Sequence, residues 1–227
     1  MSPYGKHGLA SENILQAVNG LGINTEGSTL EDGFSGGQCQ VFRITFPHHE
    51  DQSLAVRVPI YMDSNAAIVA LQTEEQNLYI LAKAMFPWAP KCYGASLTFE
   101  NAIKHPFIVV AWVDGSPLVW DESHPKRPLR DHVLGQMARI QQCLIECTTE
   151  QSSSTATDFF DRLLTNRRKR VEKDQILGLT VQDCATQRAL LSTVICAKDA
   201  SSTARAMDQG DFQPQNIIVD EEYNIIG

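Results

Sequence analysis

The apolar periodicity changes once along this chain, and that change restricts it to few folds. Through about residue 113, apolar residues come in short runs bounded by turn formers, as at 41–44, 54–58 and 107–112. Such runs read as strands with at least one buried face. From Leu129 onward they recur every three or four residues, which predicts helices over 129–146, 158–172 and 182–196. A strand-rich half followed by a helix-rich half is the plan of a two-lobe α+β protein.

Two helices belong to the first half. Residues 11–21 place Ile14, Leu15, Val18 and Leu21 on one face behind Ser11 as N-cap, with a stop at Gly20 or Gly22. Residues 66–85 carry Ile68, Leu71, Leu78, Leu81 and Met85 broadly on one face. An exposed turn is expected at 48–51, a buried strand at 107–112 running into Asp114 to Pro117, and polar linkers at 151–157 and 197–206.

Composition narrows the function. The chain has 227 residues, 43% of them hydrophobic and 20% charged, so it is globular and large enough for two small lobes. A net charge of −8 disfavours a nucleic-acid partner, which calls for a basic face. The six cysteines form no Cys-x-x-Cys pair and are expected to be reduced core thiols rather than metal ligands. With no apolar run near a membrane span and no leader pattern, the expectation is a cytoplasmic chain without a membrane partner.

Chemistry concentrates near the C-terminus, where Gln209-Gly210-Asp211-Phe212-Gln213-Pro214-Gln215-Asn216 precedes the apolar run Ile217-Ile218-Val219 and Asp220. An Asp and an Asn five positions apart suit phosphoryl transfer, in which positioning and charge neutralisation supply most of the catalysis. Asp211 is the candidate base, and Asn216 the candidate ligand of a magnesium ion. The same octet would also serve as a polar turn into a strand.

The octet and the apolar run after it resemble the aminoglycoside phosphotransferase family of the protein-kinase-like fold, in a fungal-type member. That family carries His-Gly-Asp-x-x-x-x-Asn, commonly with Pro third in the x run, then Ile-aliphatic-Val-Asp. Gly210, Asp211, Pro214, Asn216 and Ile217 to Asp220 match, whereas Gln209 replaces the His, and Gln213 replaces a second frequent His. The resemblance implies a two-lobe fold. Its N-terminal antiparallel sheet with one helix (1–113) would be the nucleotide-binding lobe, and 114–227 an incomplete, mainly helical lobe bearing the catalytic loop.

Further elements fit in order. Gly33, Ser35, Gly36 and Gly37 could let backbone amides approach nucleotide phosphates. Arg57 stands where the family has its phosphate-pairing lysine, keeping the charge while changing reach and geometry. Its expected partner is Glu74, which has Leu78 and Leu81 four and seven positions on; Glu75 is the rival. The strand leading to Asp114 resembles the hinge, with backbone groups near Ala111 to Val113 meeting an adenine edge and the Trp112 side chain packing in the core.

The resemblance implies an ATP- and Mg2+-dependent phosphotransferase acting on a hydroxyl of an unknown small molecule or protein. The family's metal-binding aspartate would come after the hairpin at 217–226, and the sequence stops at Gly227. The expectation is therefore a C-terminally truncated and impaired enzyme. The alternative is an inactive kinase-like module that binds a nucleotide or a partner.

Overall fold

The computed structural model describes residues 9–31, 33–47, 53–194, 201–210 and 212–227. The expected turn at 48–51, the base candidate Asp211 and Cys196 lie outside the described residues.

In chain order the structure begins with α1 (Ser11–Asn19), β1 (Thr29–Leu30), β2 (Phe34–Ser35), β3 (Gln40–Thr45) and β4 (Leu54–Val58). Next come α2 (Ser64–Lys83), β5 (Cys92–Ser96), β6 (Phe107–Ala111), β7 (Ser116–Pro117) and α3 (Leu129–Thr148). The remaining elements are β8 (Glu150–Gln151), α4 (Ala156–Val171), α5 (Val181–Val194), β9 (Ala204–Arg205), a 3-10 turn over Pro214–Asn216, and β10 (Ile218–Val219). The chain divides into two compact units, Met1–Cys143 with Gln209–Gly227, and Leu144–Asp208.

In the first unit an antiparallel sheet has the order β1-β3-β4-β6-β5, with β2 also pairing β3. The alternation of β3 explains how both faces are covered. Phe42 and Ile44 point to a core shared with Val56, Val58, Phe107 and Val109, closed by Ile14, Ala17 and Val18 of α1. Val41 turns the other way, toward Ala55, Ile108 and Val110, under Leu71 and Leu78 of α2. A third cluster joins Leu118, Val133 and Ile140 to Ile217, Val219 and Ile225. There β10 pairs β7, and Val219 bridges back to Ile225.

Several expectations are corrected. Ser11 is the first helical residue of α1, and Ala10 caps it without a side-chain bond, so the serine does not act as N-cap. Met85 is not on the apolar face of α2. It follows the C-cap in a left-handed conformation and is 86% exposed. Of the five described cysteines, all free, only Cys184 is buried.

In the second unit the two stretches expected as linkers pair with each other, Glu150 opposite Arg205 and Gln151 opposite Ala204. A capping box starts α4, in which the Thr155 side chain accepts from the Asp158 N–H and Asp158 accepts from the Thr155 N–H. Thr180 and Asp183 make the same reciprocal pair ahead of α5. Arg188 of α5 reaches Asp161 (2.9 Å) and Thr165 (3.0 Å) on α4.

Candidate active site

Arg57 lies at the centre of the first unit's sheet, opposite Val41 on one side and Ile108 on the other. Two residues from Ala55, its side chain rises from the face that α2 covers. There it donates to the Glu74 carboxylate, so the structure selects Glu74 over Glu75 as the partner. The pair is partly open to solvent, with Arg57 39% and Glu74 26% exposed at the side chain. Burial pushes the Glu74 carboxyl above its ordinary value, and the Arg57 guanidinium pulls it part of the way back.

The glycine-rich turn joins β2 to β3 and is closed by the Gly36 N–H donating to the Cys39 carbonyl at 2.9 Å. Its glycines differ in purpose. A Cβ on Gly33 would come within 2.7 Å of the Gln40 amide and 2.9 Å of the Phe42 ring, so packing excludes a side chain there. Gly37 borders open space, and Gly36 meets only the Cys39 carbonyl at 3.5 Å. With exposed Ser35 they leave backbone amides accessible at the tip.

Sequence reasoning placed Cys39 in the core, yet its thiol sits by the Arg57–Glu74 pair. Burial pushes it above the ordinary thiol value, and the nearby guanidinium opposes that shift. Arg43, two positions after Val41, was not singled out either. It donates to Asp114 (2.6 Å) and Ser53 (3.1 Å) and lies 5.0 Å from the Trp112 ring centroid. Strand alternation alone would have put it on the Val41 face.

At the connector after β6, the Ala111 N–H donates to Lys91 (2.8 Å) and the Trp112 N–H to Ser53 (2.9 Å). Val113 is the first residue there whose backbone makes no hydrogen bond among the described residues. Of the residues 111–113, its polar edge is the one left for a ligand. The Trp112 ring is partly buried against the α2-side cluster and also meets Phe34, centroids 5.6 Å apart, so it is more than core filler.

The loop from Gly210 to Asn216 is clamped at both ends. Phe212 packs beside the Leu118–Val133–Ile225 cluster, and Ile217 is buried within it. Gly210 has φ +75°, a left-handed turn that glycine adopts without the cost a side chain would add. Asn216 ends the 3-10 turn, its N–H donating to the Gln213 carbonyl at 2.9 Å, and the residue is exposed. Asp220 is a turn residue: its carboxylate accepts from the N–H groups of Glu222 (2.9 Å) and Asn224 (2.8 Å). Among the described residues no group of three or more His, Cys, Asp or Glu could hold a metal ion.

No family model matches the chain. Over 121 residues, 52% of this chain, it is 26% identical to altered inheritance of mitochondria protein 9, mitochondrial, of Meyerozyma guilliermondii. The match spans 20% of that protein's length. The crystal structure of an aminoglycoside-3'-phosphotransferase of type VIII is similar with a TM-score of 0.51 and 21% identity, over 93% of this chain and 73% of that one. The fold is that of the kinase-like phosphotransferases, a mixed α/β architecture with an antiparallel sheet and helices. No described helix is long and apolar enough to cross a membrane.

Proposed function

We propose that this chain binds ATP with Mg2+ beneath the Gly33 to Gly37 turn and transfers the γ-phosphoryl group to an acceptor hydroxyl. The observation that carries the reading is the Arg57–Glu74 pair on the α2 side of the sheet, in the same unit as the Gly210 to Asn216 loop. An arginine held by a carboxylate at the edge of an open glycine turn is suited to a polyphosphate. In this reading Arg57 takes the α- and β-phosphates, Glu74 orients its guanidinium, and the Gly37 amide, with Gly33, Ser35 and Gly36 shaping the turn around it, faces phosphate oxygens. The Val113 backbone edge, and less directly Ala111, meets the base.

Asp211 is the residue proposed to accept the proton of the acceptor hydroxyl. As the hydroxyl oxygen bonds to the γ-phosphorus, the bond from that phosphorus to the ADP oxygen breaks. Asn216 offers an amide oxygen, a hard donor fit for Mg2+. A magnesium ion held there would supply charge neutralisation for the transferred phosphoryl group. The acceptor is a small molecule or a protein, and the compartment is taken as cytoplasmic.

ATP with Mg2+ at about 100 times its Kd adds roughly 2.7 kcal/mol to the stability of a binding protein. For a chain of this length the melting temperature should rise by about 5–11 °C. A folded sample that does not shift would overturn the nucleotide reading. Asp211→Asn should lower phosphotransfer to an identified acceptor by about 10²–10⁴-fold with melting unchanged. Retained turnover would remove Asp211 from the role of base.

A further inference from the structure

Arg43 holds together parts of the first unit that are distant in sequence. From β3 its Nη2 donates to Asp114 Oδ1 at 2.6 Å and to Ser53 Oγ at 3.1 Å, while its guanidinium lies 5.0 Å from the Trp112 ring centroid. The Ser53 carbonyl in turn accepts the Trp112 N–H at 2.9 Å, so Arg43 and Ser53 grip the connector by side chain and by main chain. Trp112 also contacts Phe34, on the short strand just before the glycine-rich turn, at 5.6 Å between centroids. Residues 112 and 114 are thereby fixed on either side of Val113, whose backbone makes no hydrogen bond among the described residues. The Arg43 Nε is buried without a hydrogen bond and has Glu31 Oε1 only at 4.0 Å, so the guanidinium is turned toward Asp114.

We propose that Arg43 is the positioning residue of the nucleotide site, setting the Val113 backbone edge and the Phe34 ring through Asp114 and Trp112. Its effect on nucleotide affinity rests on the function proposed above; its grip on the connector does not. Neither a lysine nor a glutamine can serve Asp114, Ser53 and the indole face together, because only the planar guanidinium offers several donors and a stacking surface.

The test uses the full chain labelled with fluorotryptophan, the Trp112 fluorine resonance being assigned with Trp112→Phe. Arg43→Gln and Asp114→Asn should each shift that resonance. Each should also weaken ATP–Mg2+ binding by about tenfold in calorimetry, as expected for losing one charge-assisted contact. The double variant should be little worse than either single one, since both break one interaction. Asp114 is exposed, so Asp114→Asn keeps the test alive should Arg43→Gln fail to fold. An unmoved Trp112 resonance in Asp114→Asn would overturn the grip. A moved resonance with unchanged ATP affinity would overturn the positioning role and leave a structural contact. If the parent chain binds no ATP while the resonance still moves, the proposed function and the nucleotide half of this proposal fall, and the grip stands.

Discussion

Glu74 carries opposing demands: it must stay ionised to hold Arg57, yet burial raises its pKa. A carboxyl whose folded pKa exceeds its unfolded value binds protons more tightly when folded. Its contribution to stability is fully present below the ordinary value of 4.5 and is lost as pH rises through the folded value. Relative to Glu74→Gln, the parent chain should therefore lose stability as pH rises above the ordinary 4.5. Melting both proteins across that range checks it, and parallel profiles would refute the burial effect. Glu74 was legible because the 3.6 period phases it with Leu78 and Leu81, whereas Arg57, set in the apolar run 54–58, was legible through the family resemblance. Arg43 was not, because its partner Asp114 lies 71 positions away and no local pattern names it.

At the scale of elements, the hairpin ending at Ile225 is fastened to α3 by two side chains, His132, whose Nε2 lies 3.1 Å from Asn224 Oδ1, and Gln136. Gln136 donates to the Tyr223 carbonyl (2.9 Å) and accepts from the Ile225 N–H (2.9 Å). Gln136→Leu strands both groups and should cost about 1–3 kcal/mol, read from urea unfolding. Thr155→Ala removes the cap of α4 and should cost about 1 kcal/mol. Asp158, its partner, has a lowered pKa, chiefly from the Thr155 hydroxyl, so this cap's support is present above the ordinary 3.8 and fades as pH falls below it. An unchanged melting profile on acidification would contradict that sign.

Not all elements were equally visible in the sequence. Strands β4 and β6 stood out as apolar runs bounded by turn formers, since both faces of each are covered. Strand β5 was missed: Cys92 to Ser96 is built largely of small residues, and its register slips between Cys92 and Gly94. The β8–β9 ladder was unreadable because its residues are polar and their pairing is set by tertiary structure, some fifty positions apart.

For the whole molecule, amides in the central strands should exchange most slowly. Val56 pairs with Phe42 on one side and Val109 on the other, and both valines are fully buried. Hydrogen exchange should give Val56 and Val109 the highest protection and α4 and α5 of the second unit less. Faster exchange at β4 than at α4 would be inconsistent with this order. The pairing of β7 with β10 has a consequence for synthesis. Ser116 and Pro117 leave the ribosome roughly a hundred residues before Ile218 and Val219 can meet them, a long loop to close. All of Leu144–Asp208 emerges in between, while Leu118 and Val133 still lack the strand that covers them. The nascent chain thus passes through an interval in which α3 and the segment after β7 display an unfilled apolar seam, the kind of surface that chaperones capture.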